Sequence, residues 1–292
     1  MSQVVSRPRR SCLYMPGANP KALAKARELG ADTLLFDLED AVAPEAKAEA
    51  RANVLAALAE GGYGKRELIV RVNALSTPWG ANDIEAIAGA KPDGLLVPKV
   101  NSAEDVIAAD EAMSEAGYAK TTALWVMIET PLSILNIKEI AAAAKRTRLA
   151  AFVMGTNDLA KDLRAKQTPQ RTPFLYALSA GVTAARAYGL VAIDGVYNDI
   201  PNADGFTEVC RQGLAMGFDG KTLIHPSQVD PCNQIFAPAP EEVTEARAVI
   251  EAFAAPENAG KGVLKVNGKM TELLHLEQAK RTVAIAEAIE AL

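Results

Sequence analysis

Eight short apolar segments, separated by alanine-rich stretches, constrain the fold of this chain more than any other feature of its sequence. Each segment is a run of the kind that parallel sheets bury on both faces. The stretches between them have helical spacing, and Gly30, Gly61 and Gly117 lie where three of the predicted helices end. We predict strands at residues 11–15, 32–38, 67–73, 94–100, 123–129, 149–155, 189–195 and 220–226.

The alternation of strand and helix predicts an α/β fold. Eight strands with helices between them match a (β/α)8 TIM barrel in number and length. A doubly wound open sheet is the alternative, but it usually has fewer strands and often carries a glycine-rich phosphate loop after the first. Neither GxGxxG nor GxxxxGK[ST] occurs in the sequence. We therefore predict a barrel.

The pattern changes near the C-terminus. We assign residues 1–237 to a barrel catalytic domain and residues 238–292 to a C-terminal extension of helix, hairpin and helix. The pair Asn267-Gly268 is typical of a type I′ hairpin turn. The extension exceeds what a barrel needs, which leaves two interpretations open: a lid or subunit arm, or a helix that packs on the barrel.

Composition limits the partners. The net charge of −5 argues against nucleic acid or an anionic membrane surface as the main partner. Cys12, Cys210 and Cys232 are far apart and form no CxxC, as expected in a reducing cytosol. No apolar run approaches the roughly 20 residues of a membrane span, and the N-terminus lacks an apolar signal core. We expect a cytoplasmic protein that acts on a small molecule.

Polar side chains follow the predicted strands. In a TIM barrel the chemistry lies at the C-terminal ends of the strands. Here every strand end after the first carries an ionisable group, which a purely structural barrel does not need. These residues are Asp37, Glu39, Asp40, Arg71, Lys99, Glu129, Asp158, Asp194 and His225.

Glu129 and Asp158 end two consecutive strands and are candidate metal ligands. Only two histidines are present, His225 and His275, which excludes a His-rich zinc site. Two carboxylates completed by waters and substrate oxygens suit Mg²⁺, or Mn²⁺ in its place. The alternative for each acid is a helix cap, because each stands near the start of a predicted helix.

The acids after the second strand also allow two interpretations. We assign Asp37 to catalysis; the alternative is that Asp37, Glu39 and Asp40 pair with Arg71 and Lys99 as structural ions. A Schiff-base role for Lys99 is disfavoured, because neighbouring acids would keep its ammonium charged rather than lower its pKa. Ser-His-Asp hydrolysis lacks its GxSxG motif.

At these residues the sequence resembles the HpcH/HpaI aldolase and citrate lyase superfamily. The branch is that of citrate lyase beta subunits, malyl-CoA lyases and citramalyl-CoA lyases. The resemblance implies a (β/α)8 barrel with a C-terminal extension, in agreement with the independent prediction. The matching stretches cover nearly the whole chain in order: RSCLYMPG, FDLEDAVAPEAKAEAR, IVRVNAL, LLVPKV, MIETPLSI, FVMGTNDLAKDL, AIDGVYND, GFDGKTLIHPSQV and VNGKMTELLHLEQAK.

The resemblance implies Mg²⁺ on Glu129 and Asp158, a CoA thioester as substrate, and catalysis by Arg71 at the substrate carbonyl or carboxylate. It also implies a homotrimer or a dimer of trimers in which the C-terminal segment reaches a neighbouring subunit. The positions that match substrate contacts are Tyr14, Lys25, Arg71, Asn157, Asp158, Ile224 and His225.

Two positions depart from the family pattern. Asn19 stands where a relative carries Arg, which removes a positive charge near the CoA phosphates. Glu272 stands where the lyases carry a catalytic Asp, and it keeps the carboxylate but adds a methylene. Proton transfer tolerates little misplacement, so this substitution bears directly on the reaction.

We expect a Mg²⁺-dependent carbon–carbon lyase that cleaves or forms a 3-hydroxyacyl-CoA such as malyl-CoA or citramalyl-CoA. Its products would be acetyl-CoA and glyoxylate or pyruvate. The alternative is a (3S)-malyl-CoA thioesterase, because a displaced acid/base at Glu272 would let water attack the thioester. Two further alternatives are a citrate lyase beta-like subunit of a larger complex and a pyruvate-type aldolase that does not use CoA.

Overall fold

The computed structural model describes residues 7–292, and all eight predicted strands are present. They are parallel and pair in chain order, and the eighth pairs with the first to close a barrel. The TIM barrel prediction is confirmed. The strands are β1 (Ser11–Pro16), β2 (Thr33–Asp37), β3 (Glu67–Arg71), β4 (Gly94–Val97), β5 (Ala123–Ile128), β6 (Leu149–Met154), β7 (Val191–Asp194) and β8 (Gly220–Leu223).

Helices connect and follow the strands, one or two after each. They are α1 (Pro20–Lys25), α2 (Lys47–Glu60), α3 (Gly80–Ala88), α4 (Ala103–Glu115), α5 (Pro131–Leu135), α6 (Ile137–Ala142), α7 (Thr156–Leu163), α8 (Leu175–Tyr188), α9 (Ala203–Met216) and α10 (Val229–Phe236). Short 3₁₀ turns lie at Ala26–Glu28, Pro44–Ala46, Ala143–Lys145, Thr172–Phe174, Pro226–Gln228 and Pro256–Asn258. No helix of the described residues is both long enough and apolar enough to cross a membrane.

The barrel interior explains why polar residues appear at the strand ends. Side chains alternate between the two faces of a strand, so residues two apart point the same way. Leu35, Ile69 and Met127 belong to the interior cluster, and the next inward positions on their strands are Asp37, Arg71 and Glu129. The buried cluster consists of Cys12, Leu35, Ile69, Leu96, Trp125, Met127, Ala151, Val153 and Ile193.

The barrel unit comprises Arg9–Asn233, and Gln234–Leu292 belongs to a second compact unit. The second unit follows the predicted order of helix, hairpin and helix. Its elements are α11 (Pro240–Ala254), β9 (Val263–Val266), β10 (Lys269–Glu272) and α12 (Leu273–Glu290).

The hairpin of the second unit turns as its sequence predicts. Strands β9 and β10 pair antiparallel across Asn267 and Gly268, which have φ values of 50° and 81°. Two positive φ angles in succession define the type I′ turn and explain this residue pair. The unit has a small apolar core of its own, formed by Ala246, Val249, Leu264, Val266, Ala279 and Val283.

Candidate active site

A pocket of about 390 Å³ opens at the C-terminal ends of the barrel strands. One part of its wall is charged and the other is apolar, as expected of a site that binds and orients a small molecule. Its lining includes Tyr14, Pro16, Asp37, Asp40, Ala41, Arg71, Met127, Glu129, Met154, Gly155, Thr156, Asn157, Asp158, Val196, Thr222 and Ile224.

Arg71 and Asp37 form a buried, two-pronged ion pair. Arg71 Nε and Nη2 donate to the two oxygens of Asp37 at 2.7 and 2.6 Å. Asp37 also accepts from the backbone N–H groups of Glu39 and Ala41. Burial acts to lower the pKa of Arg71, but Asp37 and the other groups around it outweigh burial and raise that pKa. The guanidinium is therefore charged and held in one orientation.

The third nitrogen of Arg71 points to weaker partners. Nη1 lies 2.8 Å from Glu39 Oε2 and 3.2 Å from Asp40 Oδ2, and the guanidinium lies 4.7 Å from the centre of the Tyr14 ring. Asp40 is 61% exposed. Burial raises the pKa of Glu39 to about 8 in spite of Arg71. The pairing with Arg71 that we gave as an alternative for these acids is present.

Glu129 and Asp158 lie on either side of a lysine ammonium. Lys99 Nζ is 2.6 Å from Asp158 Oδ1 and 3.5 Å from Glu129 Oε1, and the backbone N–H of Lys99 donates to the same Glu129 oxygen at 2.8 Å. Burial lowers the pKa of Lys99, but the charges of both acids outweigh it and the net pKa is raised. The expectation that acids keep Lys99 charged is confirmed, and its partners are these acids rather than Asp37, Glu39 or Asp40.

The helix-cap alternative is wrong for both acids. The cap of α5 is Thr130, whose hydroxyl accepts from Ser133 N–H at 3.0 Å. Asp158 lies inside the first turn of α7, whose capping position is Gly155. Both carboxylates line the pocket. Among the described residues there is no cluster of three or more His, Cys, Asp or Glu side chains that could hold a metal ion.

Gly155 permits the close packing of Glu129. A β-carbon at this position would lie 2.5 Å from Glu129 Oε2 and would also overlap the Glu129 β-carbon. Glu129 is fully buried, and its Oε2 has no hydrogen-bond partner among the described residues. Burial raises the pKa of this carboxyl despite Lys99. The site therefore holds a desolvated acid with one free acceptor atom.

Other predicted substrate contacts lie at the pocket rim or outside its lining. Asn157 accepts from Asn198 Nδ2 at 2.7 Å and from Gln167 Nε2 at 2.9 Å. Ile224 lines the pocket and is 38% exposed, whereas the next residue, His225, bonds its own Ser227 and is not among the lining residues.

Lys25 and Asn19 do not line the pocket. Lys25 is exposed and pairs with Glu28 at 2.5 Å, and Asn19 caps α1 through Ala22 N–H. Glu272 belongs to the second unit, where it is exposed and its backbone N–H donates to His275 Nδ1 at 2.9 Å.

One of the acids at the strand ends, Asp194, is structural. Asp194 is fully buried between Arg171 and Lys221 and does not line the pocket.

The apolar and hydroxyl-bearing residues of the pocket lining were not predicted, because only ionisable residues were sought at the strand ends. The spacing of two residues before Glu129 identifies Met127, but no pattern indicated Met154, Val196, Thr156 or Thr222.

A model of the HpcH/HpaI aldolase/citrate lyase family matches residues 10–226. The chain belongs to this family. The resemblance that we predicted from the sequence motifs is confirmed.

Family relatives align along nearly the whole chain. A (3S)-malyl-CoA thioesterase of Cereibacter sphaeroides is 46% identical over 284 residues, which cover 97% of this chain and 96% of the relative. The citrate lyase subunit beta of Escherichia coli K12 is 38% identical over 292 residues, covering 98% of this chain and 96% of the relative. The chain is therefore similar to members with two different activities.

Solved structures of family members share the fold. CitE from Mycobacterium tuberculosis, in complex with magnesium, acetoacetate and coenzyme A, aligns with a TM-score of 0.72 and 29% identity. The alignment covers 95% of this chain and 97% of that one. A citrate lyase beta subunit from the same organism, complexed with oxaloacetate and magnesium, aligns with a TM-score of 0.69 and 29% identity over 80% of this chain and 99% of that one.

Proposed function

We propose that this protein is a thioesterase that hydrolyses a 3-hydroxyacyl-CoA of the (3S)-malyl-CoA type to the hydroxy acid and CoA. The observation that carries the proposal is the 46–47% identity to (3S)-malyl-CoA thioesterases over 97% of the chain. Identity to the citrate lyase beta subunit is 38%. This order reverses our expectation from the motifs alone, which put the lyase first.

Two acids of the pocket lining fit Mg²⁺. Glu129 and Asp158 offer hard oxygen donors, and Glu129 Oε2 is a buried acceptor without a hydrogen-bond partner among the described residues. The magnesium in M. tuberculosis CitE supports the same choice. When bound, Mg²⁺ would polarise substrate oxygens and lower the pKa of a coordinated hydroxyl or water. Mn²⁺ offers the same oxygen chemistry.

Arg71 would bind the developing negative charge of the substrate. Asp37 occupies two of its nitrogens, so Asp37 acts in our proposal as a positioning residue. Nη1 is the nitrogen that a substrate carboxylate or thioester oxygen would contact, because its partners are Glu39 and the largely exposed Asp40. A fixed guanidinium stabilises charge without reorganising during the reaction.

The remaining predicted contacts would hold the CoA portion. We propose that Tyr14, beside Arg71, and Asn157 and Ile224 contact the thioester arm, and that Lys25 and His225 contact the nucleotide portion farther out. The coenzyme A in M. tuberculosis CitE supports a CoA ligand for this fold.

Glu272 is the proposed acid/base. In hydrolysis its carboxylate would take the proton of the water that attacks the thioester carbon, and the CoA thiolate would leave. We propose that Glu272 acts on the site of a neighbouring subunit in a homotrimer or dimer of trimers.

We also propose that the protein works in the reducing cytoplasm. The free cysteines Cys12, Cys210 and Cys232 support this proposal.

The carbon–carbon lyase is the second candidate. It is favoured by the identity to citrate lyase beta subunits and by the carboxylate that Glu272 retains. In that reaction the proton of Glu272 would go to the enolate carbon of acetyl-CoA instead.

One assay separates the two candidates. Purified protein is incubated with Mg²⁺ and (3S)-malyl-CoA, and malate, free CoA, glyoxylate and acetyl-CoA are measured. Malate with free CoA supports the thioesterase, and glyoxylate with acetyl-CoA supports the lyase. If neither pair of products forms, both candidates fail, and if products form at the same rate in Glu129→Gln, the proposed site is wrong.

A further inference from the structure

Lys99 occupies the space where the two proposed metal ligands face each other. Its ammonium is 2.6 Å from Asp158 Oδ1 and 3.5 Å from Glu129 Oε1, so one cation bridges two carboxylates that come from consecutive strand ends. The Lys99 side chain is one-third exposed. It is therefore held by charge and not enclosed by packing, which distinguishes it from a core ion pair.

The backbone of Lys99 is built to deliver this ammonium. Its φ is 57°, in the left-handed region that side-chain-bearing residues seldom adopt. Both of its backbone groups are bonded: the N–H donates to Glu129 Oε1 at 2.8 Å, and the carbonyl accepts from Asn101 Nδ2 at 3.0 Å. Asn101 in turn accepts from the hydroxyl of Thr130, the residue after Glu129. The loops after β4 and β5 are thus fastened together around the lysine.

Charge balance gives this arrangement a consequence. Two carboxylates that converge on one pocket repel each other, and a cation between them removes that repulsion. The ammonium and a divalent ion would compete for the same carboxylate oxygens. The Glu129–Asp158 pair therefore binds metal less tightly with Lys99 between its carboxylates than it would without this lysine. The same lysine holds the two carboxylates in position when no metal is bound.

We propose that Lys99 is an internal counter-cation that sets the metal affinity of the Glu129–Asp158 pair and preserves its geometry when metal is absent. The inference rests on the metal pair of the proposed function. In this role Lys99 is a positioning residue, because it acts on the two carboxylates and not on the reacting bonds.

The test is metal binding without substrate. Mn²⁺ is titrated into the intact protein, free Mn²⁺ is followed by electron paramagnetic resonance, and Mg²⁺ is then used as competitor. We expect Lys99→Met and Lys99→Gln each to bind Mn²⁺ and Mg²⁺ about tenfold more tightly than wild type, because one positive charge leaves the site. Lys99→Arg should keep the wild-type affinity.

Lys91→Met is the matched control. Lys91 also has a left-handed backbone, with φ 50°, but it is exposed and precedes β4, whereas Lys99 follows that strand. Its substitution should leave metal affinity unchanged. Thermal denaturation gives a second readout: without metal, Lys99→Met should melt below wild type, and saturating Mg²⁺ should raise its melting temperature by more than that of wild type.

Two results overturn the inference in different ways. If wild type binds Mn²⁺, Glu129→Gln abolishes binding, and both uncharged Lys99 variants bind no more tightly than wild type, Lys99 does not compete with metal while the metal pair stands. If wild type binds no Mn²⁺ and Glu129→Gln behaves identically, the metal pair itself fails, and the proposed function loses its site.

Discussion

Two buried carboxylates, Asp194 and Glu129, stand at the ends of barrel strands in opposite surroundings. Asp194 is enclosed by two cations: Arg171 Nη1 lies 2.7 Å from both of its oxygens, and Lys221 Nζ lies 3.0 Å from Oδ2. Burial acts to raise the pKa of Asp194, but the two cations outweigh burial and the net pKa is lowered. Both oxygens of Asp194 therefore bind these cations, and the residue does not line the pocket.

The negative charge of Glu129 is balanced by fewer cations than that of Asp194. It shares one cation, Lys99, with Asp158, and its Oε2 has no hydrogen-bond partner among the residues from Arg7 to Leu292. Burial therefore prevails and raises the pKa of Glu129. Strand position and burial are the same for the two acids, so neither property identifies a ligand. Unused bonding capacity that faces a pocket is what separates them.

The largest expected effect is the loss of activity when Glu129 loses its charge. Glu129→Gln keeps the shape of the side chain but removes the charge that would hold Mg²⁺. We expect a loss of about a thousandfold in kcat/KM, equivalent to roughly 4 kcal/mol of transition-state stabilisation. Hydrolysis of (3S)-malyl-CoA at saturating Mg²⁺ measures it. The free energy of unfolding should change by no more than about 1 kcal/mol, and a larger fall would make Glu129 a structural ion.

Asp194→Asn tests the other side of the contrast. It leaves Arg171 and Lys221 buried without a counter-charge, and breaking a buried ion pair in this way costs about 3–5 kcal/mol. Urea denaturation should show that loss of unfolding free energy. A variant as stable as wild type would contradict the structural role of Asp194.

Gly155→Ala tests whether the packing of Glu129 matters. The new methyl group would overlap the Glu129 side chain, and overpacking of this kind costs about 1–3 kcal/mol. We expect this loss in denaturation together with weaker Mg²⁺ activation. Gly89→Ala is the control, because nothing lies within 4 Å of a β-carbon there and its φ is not positive. Equal behaviour of the two variants would show that Gly155 is not needed for the packing of Glu129.

The last expected effect is a dependence of stability on pH. Glu39 has a pKa raised from 4.5 to about 8 by burial, so between these pH values the folded state holds a proton that the unfolded state has released. Stability from this group is therefore present below about pH 4.5 and is lost as pH rises to 8, by at most about 1.4 kcal/mol per pH unit. Denaturation from pH 5 to 9 should show this slope in wild type and a flatter profile in Glu39→Gln.

The strand pattern predicted most of the fold and much of the pocket. All eight apolar runs are barrel strands, and the two-residue alternation that fills the barrel also points Asp37, Arg71 and Glu129 inward at the strand ends. Because a barrel gathers its strand ends on one face, a list of polar strand ends approximates the site. The Asn267-Gly268 turn was equally predictable, since few residue pairs accept two positive φ angles.

Side-chain partners were not predictable in the same way. One of the two cations that neutralise Asp194 is Arg171, which lies in the connection between α7 and α8 and has a left-handed backbone. The bridge made by Lys99 likewise depends on its left-handed φ. Sequence periodicity reports which face a residue occupies, whereas these contacts depend on loop conformation and on residues distant in the chain.

We propose that this family member breaks a thioester bond. The most direct measurement is hydrolysis of (3S)-malyl-CoA in H₂¹⁸O, with initial rates of free thiol and glyoxylate followed together and malate examined by mass spectrometry. We predict that free CoA and malate appear at equal rates, that malate carries one ¹⁸O in the carboxylate derived from the thioester, and that Glu129→Gln slows both about a thousandfold. Glyoxylate and acetyl-CoA released at the initial rate, with no labelled malate, would contradict it.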